Sequence, residues 1–241
     1  MSIEIHQYGI VNLPVPLEHI SVKLPTLREA FALGITKYLG LLQVILMDFQ
    51  ELELNLPEEV ERPSDFYLFL MLMNQSAEYR NELLDALKLF TGVDFIVERG
   101  ILISVEYSQI ITEEVWIELR EILYVLHWRT APAPRVKKKA LSERAKIFME
   151  RLEQTKKTVA KIKEKEENTE GIALYEIIAA TATHAGSYNL LNIWDLTYYQ
   201  FFDHYHRVVI SDDYDISLKS ILAGADPKKV EIKHWASSIK I

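Results

Sequence analysis

The sequence contains no cysteine among its 241 residues. Disulfide bonds, zinc sites with thiolate ligands and cysteine nucleophiles are therefore excluded, and the composition fits a reducing compartment. Glycine and proline are also scarce, at eight residues each. This scarcity argues against a loop-rich or low-complexity chain and favours an ordinary folded protein.

The sequence also lacks a long hydrophobic run. The longest strongly apolar stretch, from Phe66 to Met73, is far shorter than the roughly 20 residues that a membrane-spanning helix needs. It predicts a buried helix. The N-terminus shows no basic segment followed by an apolar one, so we expect neither a secretion signal nor a membrane partner.

The familiar catalytic motifs are absent from the sequence. It contains no G-x-G-x-x-G, G-x-x-x-x-G-K-[ST], G-x-S-x-G or H-E-x-x-H, and eight scattered glycines leave little room for a phosphate-binding loop. We therefore expect a protein that is not an enzyme, has no cofactor and works by binding other proteins.

Charge is distributed unevenly along the chain. The net charge is -8, but residues 135–167 hold 12 basic and 6 acidic residues, whereas the remainder holds 15 basic and 29 acidic. The run Lys137–Lys139 could serve a nucleic-acid adaptor, which is one alternative function. Acidic residues follow it closely, however, so a solvated helix face is favoured and nucleic acid is not the expected partner.

A heptad pattern follows this lysine run. Apolar or small residues recur at alternating steps of four and three, which is typical of a coiled-coil seam: Leu141, Ala145, Phe148, Leu152, Thr155, Val159 and Ile162. A lone helix with so narrow a stripe is unstable in water. We therefore predict that Leu141, Phe148, Leu152, Val159 and Ile162 contact a partner, which could be another copy, another protein or the chain's own C-terminal part.

The fold class predicted from the pattern is mainly α, with an α+β N-terminal half. We expect an extended arm or an edge strand over residues 1–25, a helix from Thr26 to Met47, and further helices over 65–73, 77–90 and 112–128. A β-hairpin is expected over 93–107, with its turn at Arg99-Gly100. Three parts result: an N-terminal domain (1–130), a linker with a charged helix (131–170), and an aromatic-rich helical domain (171–241).

The C-terminal part is the richest in aromatic residues. We expect a helix over 172–184 and another that Asp195 or Thr197 caps, running to about Val209. Residues 212–215 could either continue this helix or start a new one as far as Leu222. Aromatic residues at helical spacing indicate a core or a protein interface. The predicted interface cluster is Trp194, Tyr198, Phe201, Phe202 and Trp235.

One cluster in this part suggests metal chemistry as an alternative function. Asp203, His204 and His206 could serve a metal-dependent, hydrolase-like enzyme. In a helix, however, side chains two residues apart point about 200° apart around the axis, so the two histidines could not share one ion. We therefore expect no metal site.

Several C-terminal stretches resemble proteins encoded in the tail-gene clusters of bacteriophages, especially phages of Gram-positive hosts. The resemblance lies in the stretch from Tyr188 to Asp203, in Ile221–Asp226 and in Ile232–Trp235, with looser support from Val22–Arg28. It implies a tail or baseplate component, or a chaperone that holds tail proteins before they polymerise. The implied partners are other tail proteins or further copies of the chain. The implied location is the host cytoplasm during assembly, or the virion tail.

Overall fold

Side-chain caps set the starts of most helices in this protein. The structure is a computed structural model, and it describes residues 2–49, 63–130, 172–226, 230, 232–237 and 239. Thr26 accepts a hydrogen bond from the Glu29 N–H, and the Glu29 carboxylate accepts one from the Thr26 N–H, forming a capping box. Thr197 and Gln200 repeat this arrangement. Such caps satisfy N–H groups that would otherwise lack partners at the helix start.

The described residues are mostly helical, which confirms the predicted fold class. The helices are α1 (Ser2–Val11), α2 (Leu27–Leu33), α3 (Ile35–Leu46), α4 (Asp65–Gln75), α5 (Ala77–Thr91), α6 (Glu113–Leu126), α7 (Leu174–His184) and α8 (Tyr198–Leu222). A 3₁₀ turn, Ile193–Asp195, precedes α8. The strands are β1 (Val15–Leu17), β2 (Ile20–Val22), β3 (Phe95–Glu98) and β4 (Ile101–Ser104).

The prediction of an extended arm or edge strand over residues 1–25 is wrong for residues 2–11, which form a helix, whereas two short strands follow. The chain forms α1 and then an antiparallel hairpin of β1 and β2, in which Val15 pairs with Val22. The alternation of isoleucines suggested a strand, but the contacts follow helical spacing: Ile5 is buried and Gly9, four residues later, faces the Tyr199 ring. Tertiary packing of this face decides the conformation.

The predicted helix from Thr26 to Met47 is broken at Gly34. This glycine has a φ of +94°, a conformation that L side chains rarely adopt, and it separates α2 from α3. Among the described residues no single helix is long and apolar enough to span a bilayer. The one pair that passes this test jointly, α2 with α3, is bent by 97°.

The hairpin of β3 and β4 confirms the sequence prediction. Phe95 pairs with Ser104 and Glu98 with Ile101, so Arg99 and Gly100 form a two-residue turn. Both turn residues have positive φ angles, 50° and 80°. This is the backbone of the turn type that suits the twist of antiparallel strands.

The core lies where α3, α5 and α6 pack with α4, both hairpins and α1. Phe69 of α4 stacks on Trp116 of α6, with ring centroids 3.9 Å apart. Arg120 of α6 donates to the carbonyls of Leu46 and Met47, where α3 ends. A buried apolar cluster and satisfied helix ends together fix the scaffold that the C-terminal residues contact.

The chain divides into two compact units. One contains Met1–Pro132 with Thr181–Ile241, and the other contains Ala133–Ala180. In the second unit the described residues form the beginning of α7, where the Glu176 carboxylate accepts a hydrogen bond from the Ala173 N–H. The charged helix over 131–170 lies outside the described residues, and the three-part division stays a prediction.

Candidate functional site: helix α8 and its surroundings

The first turns of α8 form an aromatic cluster, which we call the aromatic anchor: Tyr198, Tyr199, Phe201 and Phe202. Tyr199 and Phe201 are buried, and Tyr198 and Phe202 are half-buried. Tyr199 stacks on Trp128, with ring centroids 5.4 Å apart, and its carbonyl accepts a hydrogen bond from the Trp128 indole N–H. The aromatic anchor thus contributes directly to the core.

Helix α1 covers the other side of Tyr199. The Tyr199 hydroxyl forms a 2.7 Å hydrogen bond with Nδ1 of His6. A Cβ atom on Gly9 would lie 2.7 Å from the Tyr199 ring, so this position admits only glycine without a shift. Burial raises the pKa of Tyr199 to about 12, which keeps the hydroxyl protonated at neutral pH.

Tyr198 lies beside a buried polar pair. Its ring centroid is 5.2 Å from that of His127 and 6.4 Å from that of Tyr38. His127 Nδ1 lies 2.8 Å from the Leu123 carbonyl, and Nε2 lies 2.6 Å from the Tyr38 hydroxyl. A carbonyl can only accept, so Nδ1 carries the proton and Nε2 accepts from the Tyr38 O–H.

Desolvation keeps this histidine neutral. Burial is the main cause that lowers the pKa of His127 to about 3, partly opposed by the hydrogen bond to Leu123. Burial likewise raises the pKa of the Tyr38 hydroxyl far above its usual value. Neither group can then exchange a proton near neutral pH, so the pair indicates structure and not acid–base catalysis.

The residues before α8 attach to α2. The Leu27 N–H donates to the Leu196 carbonyl at 2.7 Å, and Trp194 packs edge-on against Phe31 with ring centroids 5.2 Å apart. Arg28 donates to the Asp195 carboxylate at 3.0 Å. The predicted interface residue Trp194 therefore packs within the fold, where it is half-buried.

The predicted aromatic interface is only partly brought together. Tyr198, Phe201 and Phe202 are neighbours, with centroid distances of 4.6 Å between Tyr198 and Phe202 and 5.1 Å between Phe201 and Phe202. Trp235 has other neighbours: it lies against His234 and is 57% exposed. The predicted seam of Leu141, Phe148, Leu152, Val159 and Ile162 lies outside the described residues, as does Lys137–Lys139.

The metal candidates point to separate neighbours. His204 packs edge-on against Tyr188, whereas His206 lies against Trp128; both centroid distances are 4.9 Å. Arg207 donates to both carboxylate oxygens of Asp203, at 2.8 and 3.2 Å. Burial lowers the pKa of both histidines. In the part of the chain that the structure describes, no group of three ligating side chains could hold a metal ion.

The remainder of α8, residues 203–222, is more exposed than the aromatic anchor, and we call it the outer segment. None of its residues is fully buried. At 1.5 Å per residue it extends for about 30 Å. Its exposed apolar residues are Val209, Ile216, Leu218 and Leu222, with exposed fractions of 39, 61, 37 and 86%.

These apolar residues occupy two sides of the helix. Ile216 follows Val209 by two turns and lies on the same side, whereas Leu218 and Leu222 lie on the opposite side. A partner that covered either side would remove apolar surface from water. The outer segment is therefore the best candidate for a contact surface among the described residues.

Sequence reasoning missed two features of this region. The first is the contact of α1 with Tyr199, where Gly9 leaves room for the ring. The second is the pairing of Tyr38 with His127, residues 89 positions apart. No local sequence pattern predicts a contact between residues so far apart in the chain.

Comparison with known proteins points to bacteriophages. Residues 163–240 match the family model described as YomV second domain. This phage-associated domain supports a bacteriophage protein, as the sequence resemblance implied, without pointing to the tail or the baseplate. No curated protein and no solved structure gives a significant match. The match includes the aromatic anchor and the outer segment.

Proposed function

We propose that this chain is a non-enzymatic, protein-binding component of phage tail or baseplate assembly. It serves either as a structural subunit or as an assembly chaperone. The observation that carries the proposal is the outer segment of α8, which exposes apolar residues on two sides within the region that matches a phage-associated domain. A partner helix or a second copy that covered these residues would remove their apolar surface from water.

The difference between the buried start of α8 and its exposed outer segment supports this function. The aromatic anchor fixes the start of the helix in the core, so the outer segment is presented from a rigid support. A preorganised surface loses less conformational entropy when it binds a partner. The proposed partners are other tail proteins or further copies of the chain, encountered in the host cytoplasm during assembly.

Quantitative mass spectrometry of purified phage particles and of lysate from infected cells tests this function. A fixed ratio to a known tail protein in the particles is the result expected of a structural subunit. Abundance in the lysate with absence from the particles is the result expected of a chaperone. Production of complete tails by phage that lack this gene would overturn both forms of the proposal.

A matched pair of variants tests the role of the outer segment. We expect Ile216→Asp combined with Leu222→Asp to reduce the yield of assembled tails when it replaces the wild-type gene. Ile117→Asp changes an exposed isoleucine of α6 that is 49% accessible and serves as the control. Equal yields from the two variants would exclude the outer segment as the contact surface.

A further inference from the structure

An open cleft lies between α1, the residues that follow it, β1 and α6. Its volume is about 610 Å³, which is within the range of known ligand pockets. The cleft is therefore much larger than an ordinary water site and could admit side chains of another molecule.

The floor and the rim of the cleft are apolar. Ile5, Val15 and Ile122 line it and are only 3–4% exposed, so they form a rigid floor. Val11 and Leu13 also line it and are 59 and 56% exposed. A contact that covered these two residues would bury apolar surface that now faces water.

Acidic side chains give the cleft a definite charge. Glu4 and Glu118 line it, together with the amide of Gln7, and none of the ten described residues that line it is basic. Glu4 is exposed and Glu118 is half-exposed. A ligand carboxylate would be repelled by these groups, whereas an ammonium or guanidinium group would be attracted.

We infer that this cleft is a second binding site, which takes a short polypeptide segment with apolar side chains beside a lysine or arginine. The apolar side chains contact the floor formed by Ile5, Val15 and Ile122, and the cation lies near Glu118. The inference rests on the proposed function in one respect, namely that the ligand is a protein. It concerns a surface separate from the outer segment of α8.

Capped tripeptides provide a direct test of this inference. The probes are acetyl-Leu-Lys-Leu-amide, its Glu analogue and its Gln analogue, each titrated into the full-length protein while methyl resonances are followed by NMR. We expect the Lys peptide to shift the methyl signals of Val11, Leu13, Val15 and Ile122. Its affinity should exceed that of the Gln peptide by roughly two- to fivefold, the usual effect of an exposed ion pair, and that of the Glu peptide by more.

Two neighbouring glutamates of α6 supply matched variants. Glu118→Gln should reduce the preference for the Lys peptide, whereas Glu121→Gln, which changes an exposed residue outside the cleft, should leave it unchanged. Leu13→Ser should weaken all three peptides, and Leu190→Ser, at a residue 54% exposed elsewhere, should not.

Three results would each overturn the inference. The first is that the methyl signals of the cleft do not shift even at the highest soluble concentration of the Lys peptide. The others are equal affinities for the Lys and Glu peptides, and equal effects of Glu118→Gln and Glu121→Gln on peptide preference. These results concern the isolated protein and leave the mass spectrometry of phage particles unaffected. Failure in the phage experiments would in turn not alter the peptide titrations.

Discussion

The Tyr38 hydroxyl donates to Nε2 of His127 across a distance of 2.6 Å, inside a core that excludes water from both side chains. The bond joins the first turn of α3 to the residue that directly follows α6, and Tyr198 of the aromatic anchor lies against both rings. The Tyr38 hydroxyl and both ring nitrogens of His127 have hydrogen-bond partners while both side chains are neutral. The pair thus helps to fix the position at which α8 begins.

Removal of the Tyr38 hydroxyl should destabilise the protein measurably. We expect Tyr38→Phe to lower the free energy of unfolding by about 1–3 kcal/mol, because Nε2 of His127 would remain buried without a donor. Tyr79→Phe is the control: that hydroxyl donates at 3.2 Å to the Val44 carbonyl, and its loss should cost less. Urea denaturation measures both values, and equal losses would contradict the special role of the Tyr38–His127 pair.

Stability should depend on pH through His127. Its pKa in the folded protein is about 3, against about 6.5 in an unfolded chain. The unfolded state therefore binds more protons between these values, so stability is greatest above pH 6.5 and falls as the pH decreases. From pH 6.5 to 5 we expect a loss on the order of 2 kcal/mol from this residue.

Comparison with His127→Gln isolates this contribution. The variant retains the carboxylates and the half-buried His204 and His206, whose lowered pKa values act in the same direction. Denaturation of both proteins at pH 7 and pH 5 should show a smaller pH effect in the variant. An unchanged pH effect would mean that His127 is not the source.

Two glycine substitutions in helices should have opposite effects. Gly9→Ala places a methyl group 2.7 Å from the buried Tyr199 ring, and such overpacking costs about 1–3 kcal/mol. Gly40→Ala lies in α3 with nothing within 4 Å of the new methyl group. It should stabilise the protein by about 0.5–1 kcal/mol, since alanine favours a helix. Thermal denaturation measures both, and stabilisation by Gly9→Ala would contradict the packing of α1 on Tyr199.

The two parts of α8 should respond differently to truncation. Phe201→Ala removes a fully buried ring and should cost about 3–5 kcal/mol. Ile216→Ser in the outer segment should change the free energy of unfolding by less than about 0.5 kcal/mol, because the side chain is 61% exposed. A large loss in Ile216→Ser, measured by urea denaturation, would place this residue in the core.

Local signals predicted much of the fold. The start of α6 beside Thr112, the Arg99-Gly100 turn and the end of α5 beside Gly92 are each encoded by neighbouring residues, and the two helices and the turn were predicted. The prediction for residues 2–11 was wrong because the helix that they form packs on Tyr199, which lies 193 positions beyond His6. No short stretch of sequence contains that information.

The sequence predicted which aromatic residues belong to the site, but not which of them are buried. Aromatic density around Tyr198 indicated a core or an interface. It could not divide α8 into a buried start and an exposed outer segment, because that division depends on which residues α1 and α6 cover. The cleft beside α1 was not predicted either, because residues of α1 line it and this helix was not predicted.

The bond between His6 and Tyr199 has a consequence for synthesis of the chain. The two residues are 193 positions apart, and ribosomes add about 5–20 residues per second. Helix α1 therefore emerges roughly 10–40 s before the ring that it covers has been made. During that interval Gly9 lacks the Tyr199 ring that it contacts, and Trp128 lacks it from the time that Trp128 has been made. The packing of α1 cannot be completed until the C-terminal helix has been made, because Tyr199 lies in that helix.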